Sequence, residues 1–119
     1  MTGTNTAPQV LHKTPDEDRL VSVDFGGKLD AGETLTGVPT APVDHTIPAS
    51  ATTLTTANVA INTTELIING RTVPIGEAVQ FLASAGGIDS EYIIKVSAAS
   101  TSAPAQALVG FVRIAVDSD

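Results

Sequence analysis

Alternation of apolar and polar residues near the carboxyl-terminal end constrains the fold of this chain more than any other feature. In an extended chain, residues 90–99 would have one apolar and one polar face, and Ile93 is the only exception to this period of two. The apolar face consists of Tyr92, Ile94, Val96 and Ala98. Residues 107–116 alternate in a similar way, although Val109 and Phe111 blur the pattern, and a short polar segment joins the two runs. The sequence therefore predicts a β-hairpin at the centre of an all-β domain.

Shorter runs of the same kind precede this hairpin. We predict extended segments at residues 19–25, 33–38, 54–62, 65–68, 71–73 and 78–84. For residues 78–84 a helix is the alternative, because Glu, Ala, Gln and Leu favour helices. We prefer a strand there, since the run is short and Gly86-Gly87 limits it. Residues 40–50 are predicted to form a loop or an irregular edge, because Pro39 and Pro42 interrupt ladder pairing.

Two local signals refine this prediction. Asn69-Gly70 is a strong signal for a type I′ hairpin turn, and the following Pro74 places that hairpin at a sheet edge. Tyr92 stands near the start of the penultimate strand, where a tyrosine hydroxyl often binds the backbone of a neighbouring loop; a packed ring with its hydroxyl at the surface is the alternative. Roughly seven short strands at a spacing of about eight to twelve residues predict an antiparallel immunoglobulin-like β-sandwich.

Composition narrows the classes of partner and chemistry. The formal net charge is −7, and the six Lys and Arg residues form no cluster, so neither nucleic acid nor an anionic membrane is expected as a partner. The chain has no cysteine, which excludes thiol nucleophiles and thiolate metal sites and agrees with synthesis in a reducing cytoplasm. No secretion signal or apolar run of membrane-spanning length is recognised.

The chain divides in the sequence into an N-terminal arm, residues 1–18, and a sandwich domain, residues 19–119. The arm is polar and should be flexible by itself, because it buries too little apolar surface to offset its ordering entropy. The alternative is that it becomes ordered on a neighbouring subunit. In that case the partner-binding residues would be the apolar pair and the acidic run, which are Val10, Leu11, Asp16, Glu17 and Asp18.

We predict no catalytic, cofactor-binding or metal-binding residue. His12 and His45 lack the further ligands that a metal or catalytic site requires, so both are expected to be exposed and without function. Asp16, Glu17 and Asp18 lack the glycine and the spacing of a calcium loop. Asn62-Thr63-Thr64 matches a glycosylation acceptor, but without an export signal the match carries no weight.

The order of segments resembles a family of small bacteriophage virion proteins described as fiber-to-tail adaptors. The likeness covers residues 13–116. The matching residues are Lys13-Thr14-Pro15-Asp16-Glu17, Val23-Asp24-Phe25, Leu29-Asp30-Ala31-Gly32-Glu33-Thr34-Leu35, Ser90-Glu91-Tyr92-Ile93-Ile94-Lys95-Val96-Ser97-Ala98 and Val112-Arg113-Ile114-Ala115-Val116. The resemblance implies a non-enzymatic virion protein that links fibers to the tail or connector and contacts other virion proteins within a homo-oligomeric ring or assembly.

Two alternatives stay open at this point. A capsid decoration protein would use the same sandwich on the shell lattice and would differ from an adaptor in copy number. A carbohydrate or host-surface binding module would need aromatic platforms, and the chain has only one Tyr and three Phe, most of which a core requires.

Overall fold

A computed structural model describes residues 10–48, 50–68, 70–101 and 106–117 of the chain, and the elements within these ranges are almost entirely β-strands. The strands are β1 (Val10–Lys13), β2 (Arg19–Asp24), β3 (Leu35–Thr40), β4 (Val43–Ile47), β5 (Leu54–Ile61), β6 (Leu66–Ile68), β7 (Arg71–Val73), β8 (Ala78–Ala85), β9 (Ser90–Ser100) and β10 (Ala107–Val116). A single turn of 3-10 helix, Gly26–Lys28, follows β2, and the described ranges hold no α-helix. The prediction of an all-β chain is confirmed.

The larger sheet, sheet A, is built around the predicted hairpin. β9 and β10 pair antiparallel without a register break, from Ala107 beside Ala99 to Val116 beside Ser90. Along β9 the even-numbered residues are buried and the odd-numbered ones are not, as the alternating sequence requires. β1 adds to the far side of β10 as a parallel strand, whereas β3 and β4 both pair antiparallel with the other side of β9.

The second sheet, sheet B, has the strand order β2-β8-β5, and all of its pairs are antiparallel. Its central strand is the segment for which a helix was the alternative. Val79, Phe81 and Ala83 are completely buried and share one face of β8. The preference for a strand is therefore confirmed, because the period of two outweighs the helical propensity of individual residues.

The hairpin predicted from Asn69-Gly70 is present as β6 and β7, which pair from Leu66 beside Val73 to Ile68 beside Arg71. Gly70 has the positive φ of +80° that such a turn requires, and Asn69 lies outside the described residues. The predicted position at the edge of a larger sheet is wrong. The two strands form a separate sheet, sheet C, and Pro74 follows it.

The prolines of residues 39–48 interrupt pairing less than the sequence predicts. Pro39 is a buried residue of β3, and it lies between Thr36 and Thr40, where the register with β9 shifts. Proline is compatible with an edge strand at an irregularity of this kind, because no ladder hydrogen bond is required of it there. The next segment, predicted as a loop or irregular edge, is strand β4 at the edge of sheet A, with a register shift between Val43 and His45.

Sheets A and B enclose one hydrophobic core, which gives a sandwich-like arrangement. Both sheets supply buried residues to this cluster, and Phe25, at the end of β2, is completely buried in it. The remaining members are Val21, Leu35, Ala41, Leu54, Val79, Phe81, Ala83, Tyr92, Ile94, Val96, Ala98, Val112, Ile114 and Val116. Most of the large apolar side chains are therefore used to hold the two sheets together.

Candidate functional site

The N-terminal segment predicted to contact a partner lies, where the structure describes it, on this chain's own sheet. Residues 10–13 form β1 and run parallel to Arg113–Val116, with Val10 beside Arg113 and Lys13 beside Val116. Leu11 is half-buried and packs against the core. Residues 10–13 of the predicted arm are therefore a strand of sheet A, and residues 1–9 lie outside the described part.

Lys13 attaches this segment to the rest of the domain. Its side chain is buried, and Nζ donates hydrogen bonds to the carbonyl oxygens of Thr14 at 2.7 Å and Ala85 at 2.6 Å. Burial lowers the pKa of Lys13, because a buried ammonium loses its hydration, while the carboxylates of Glu17, Asp18 and Asp16 act in the opposite direction. The bond to Ala85 ties β1 to the end of β8, so the two sheets are also joined by a polar contact.

The acidic run follows as a rigid turn. The Thr14 amide donates to Glu17 Oε1 at 2.8 Å, and the Glu17 amide donates to the Thr14 carbonyl oxygen at 3.1 Å. The bond from the Thr14 amide lowers the pKa of Glu17, and Arg19, whose guanidinium lies 3.5 Å away, acts in the same direction. Asp16 and Asp18 are exposed. The described part of the chain contains no group of three His, Cys, Asp or Glu side chains placed to hold a metal ion.

The loop between β8 and β9 closes the same end of the molecule. The Tyr92 hydroxyl donates to the carbonyl oxygen of Thr52 and accepts from the Gly87 amide at 2.8 Å. The prediction that this hydroxyl binds the backbone of a neighbouring loop is confirmed. Ala85, Gly86 and Asp89 all have positive φ values, of 65°, 97° and 61°. The loop is thus a tight, fixed turn held by the tyrosine, by Lys13 and by a 2.8 Å bond from the Asp89 amide to the Val116 carbonyl oxygen.

At the opposite end of the molecule, the side-chain amide of Asn62 is buried. In the sequence, this residue stands out only as the start of a glycosylation-acceptor motif. Asn62 is only 2% exposed, so the glycosylation-acceptor motif that it begins is inaccessible in the folded chain. Its Nδ2 donates to the carbonyl oxygens of Thr64 and Pro74, and its Oδ1 accepts from the amides of Gly76 and Ala78. The side chain therefore joins the end of β5 to the sheet C hairpin and to the start of β8. Nothing in the local sequence distinguishes it from an exposed turn asparagine.

A charged cluster stands beside this amide network. Arg71 Nη1 lies 2.5 Å from Asp24 Oδ2, and Arg71 Nη2 lies 3.9 Å from Glu77 Oε1. Asp24 also accepts a hydrogen bond of 2.7 Å from the Gly26 amide. The arginine thus links sheet C to the end of β2, and its charge is compensated within the cluster.

Both histidines are exposed, as the sequence predicts. The side chains of His12 and His45 are 64% and 69% exposed, and each has one acidic neighbour among the residues that the structure describes. His12 Nδ1 lies 2.8 Å from Asp117 Oδ2, across the β1–β10 pair, whereas His45 Nδ1 lies 4.0 Å from Asp44 of its own strand. One carboxylate beside one imidazole at the surface offers no convergent site for a substrate.

The outer face of sheet A carries exposed apolar and charged side chains. Phe111 is 47% exposed and stands beside Lys95, and Ile47 is 50% exposed and stands beside Glu91. Glu91 in turn receives a hydrogen bond from Arg113. This face combines scattered apolar side chains with charges of both signs, which is the character of a contact surface more than of a catalytic pocket.

The protein is all-β, with mostly antiparallel sheets. The loops and the buried polar contacts at its two ends hold the strands together. No helix among the described residues is long and apolar enough to cross a membrane. Comparison with protein-family models, with curated proteins and with solved structures finds no match to this chain.

Proposed function

We propose that this chain is a non-enzymatic structural protein of a bacteriophage virion, an adaptor that links fibers to the tail or connector. The proposal rests on the resemblance of its segments to fiber-to-tail adaptors and on where those segments lie. Val23 and Asp24 end β2, residues 90–98 make up most of β9, and residues 112–116 end β10. The residues that carry the resemblance therefore lie mainly in strands of the two sheets. This placement is expected of a structural protein that works by contacting other proteins.

We further propose that the sandwich is of immunoglobulin-like type. An immunoglobulin-like domain pairs its first strands, in one sheet, with strands of the middle of the chain, and places the last two strands side by side in the other sheet. Here β2, β8 and β5 form one sheet, while β9 and β10 lie side by side in the other with β3 and β4 beyond them. The Tyr92 hydroxyl, bonded to the loop before its strand, is the further feature that supports this type.

The observation that carries the functional proposal is how the apolar residues are used. Phe25, Phe81 and Tyr92 are completely buried, which leaves Phe111 as the one exposed aromatic side chain. A carbohydrate-binding face would require several aromatic rings at the surface. The outer face of sheet A, with mixed charges and isolated apolar side chains, is better suited to contacts with other virion proteins in a ring or assembly.

Purified virions provide the test. Cryo-electron microscopy of particles from a phage that encodes this chain should show its density at the tail or connector, in a small ring. Particles assembled without it should lack fibers, while their heads and tails should be intact. Many copies spread over the head would instead identify a decoration protein, and tight binding of the isolated protein on a glycan array would favour a host-surface binding module. Absence of the chain from purified particles would refute a virion role.

A further inference from the structure

The apolar residues that break the alternation of β9 and β10 share one face of sheet A. Ile93 is the exception in β9, and Val109 and Phe111 blur the pattern in β10. The odd-numbered residues of β9 point away from the core, and the register places Val109 and Phe111 beside two of them. Phe111 is 47% exposed, and Ile93 and Val109 are partly buried. The core between the two sheets therefore does not account for these three side chains.

Apolar side chains of this face, although separated along each strand, are aligned across three strands. Ile47 of β4 lies beside Glu91, which precedes Ile93 by two residues on the same face of β9. Phe111 of β10 lies beside Lys95, which follows Ile93 by two residues. Diagonal neighbours of this kind are about 7–8 Å apart, within reach of aromatic and long side chains. Ile47, Ile93 and Phe111 thus form a diagonal apolar stripe.

Polar and charged side chains flank the apolar stripe on both sides. On one side, Arg113 stands beside Ile93 and donates a hydrogen bond to Glu91. On the other side lie His45, which also stands beside Ile93, and Lys95. An apolar centre with a charged rim is the composition expected of a protein contact.

A two-fold rotation makes this face complementary to itself. With two copies facing each other and the axis crossing the apolar stripe at Ile93, each end of the stripe meets the opposite end in the second copy. Phe111 then contacts Ile47 of the second copy. The rotation keeps each flank on its own side, so Arg113 faces Glu91 of the second copy, and the same contact is made in return. We propose that the outer face of sheet A is an isologous interface between two copies of this chain.

The strand spacing is compatible with such a contact. Two residues span about 6.6 Å along a strand and neighbouring strands are about 4.8 Å apart, so the apolar stripe runs at about 35° to β9. The two-fold rotation then makes the strands of the two copies cross at about 70°, which is nearer to the orthogonal class of sheet packing than to the aligned class. Arg113 and Glu91 of the two copies alternate in sign beside the stripe, which favours this register over one that brings like charges together.

This inference deepens the proposed function by naming a second copy as the partner of the outer face, and it rests on that proposal for the role of this face in an assembly. Sedimentation equilibrium of the full chain tests it. The wild type should be mainly dimeric at about 0.5 mM and should dissociate on dilution.

Substitutions on and off the apolar stripe locate the contact. Phe111→Ser should raise the dissociation constant of the dimer about tenfold or more, because it removes the aromatic side chain at one end of the stripe in both copies. Ile67→Ser is the matched control, since Ile67 is 78% exposed but lies in sheet C, and it should leave the dissociation constant unchanged.

A charge exchange tests the predicted register directly. Arg113→Glu makes positions 91 and 113 both negative, and Glu91→Arg makes both positive, so each variant alone should be monomeric. Mixed in equal amounts, the two variants should form a heterodimer, because each glutamate then faces an arginine of the other variant. Both substitutions lie outside the core, so they should leave the fold intact.

Several results would overturn the inference. A wild-type protein that stays monomeric at about 0.5 mM would do so without touching the proposed function, which imaging of virions tests separately. Dimers that withstand Phe111→Ser, or charge variants that do not associate when mixed, would place the contact elsewhere. Assemblies larger than a dimer would replace the two-fold contact by a head-to-tail one. If the protein is monomeric and Phe111→Ser prevents its incorporation into particles, the face belongs to a different virion protein.

Discussion

The Asn62 side chain offers the sharpest test of how this fold is held at its sheet C end. Asn62→Ala removes two donated and two accepted hydrogen bonds and leaves the carbonyls of Thr64 and Pro74 and the amides of Gly76 and Ala78 without that partner. A net contribution of about 1 kcal/mol per bond, reduced where water replaces the amide, gives a loss of about 3 kcal/mol in the free energy of unfolding. That is a large fraction of the stability of a domain of this size.

Urea unfolding followed by circular dichroism measures this loss. With an m-value of about 1.5 kcal/mol/M, the midpoint should fall by about 2 M while the slope stays unchanged. Thr63→Ala is the matched control, because Thr63 is the exposed neighbour in the sequence, and it should change the stability by less than about 0.5 kcal/mol.

Asn62→Asp separates the donors from the acceptors of the same network. It keeps an oxygen for the amides of Gly76 and Ala78 but brings a carboxylate, in place of an amide donor, towards the carbonyls of Thr64 and Pro74. At neutral pH it should be at least as destabilising as Asn62→Ala. If Asn62→Ala and Thr63→Ala lowered the midpoint equally, the inference that this amide organises the end of the sandwich would be refuted.

The other end of the molecule gives three more expected outcomes. Tyr92→Phe removes a hydroxyl that makes two backbone hydrogen bonds and should cost about 2 kcal/mol, or roughly 6–10 °C in Tm; an unchanged Tm would contradict the anchoring role. Because burial lowers the pKa of Lys13, its ammonium group loses a proton at a lower pH in the folded chain than in the unfolded chain, where the lysine pKa is about 10.4. As the pH rises towards about 10.4, the unfolding free energy of the wild type should therefore increase relative to that of Lys13→Met. A difference that falls over the same pH interval would contradict the burial of the Lys13 ammonium group. Gly86→Ala should lower the free energy of unfolding by about 2–3 kcal/mol, since φ is +97° and the new Cβ would lie 2.9 Å from a Val116 methyl group. Gly32→Ala is the control, at φ +83° with open space around it, and should cost only about 1 kcal/mol. Equal losses of stability in thermal unfolding would argue against a close-packed loop at Gly86.

Local pattern was enough to predict most strands. The hairpin of β9 and β10, the strand β8 and the hairpin of β6 and β7 each depend on alternation or turn chemistry within a few residues, and the structure confirms all three. The misplacement of the sheet C hairpin has a different cause. Whether a hairpin joins a larger sheet depends on neighbours distant in the sequence, and no local pattern encodes them.

The N-terminal segment shows the same limit for the candidate site. Val10-Leu11 is a single apolar pair in a polar stretch, so the sequence favours an arm, yet residues 10–13 form a strand because β10 offers it a sheet edge. Lys13 and Asn62 look like exposed polar residues until their buried hydrogen-bond partners are known. Asp16 and Asp18 are exposed, as the sequence favours, but the rigid turn that presents them depends on the Glu17 side chain.

By itself, the sequence determined the all-β character, the central hairpin and the use of the apolar residues to close a core, because these follow from the short-range period of the side chains. The tertiary structure alone decided the parallel pairing of β1, the separation of sheet C and the burial of Lys13 and Asn62. The physical reason is that these features depend on contacts between residues far apart in the chain, which form only when both sheets are in place.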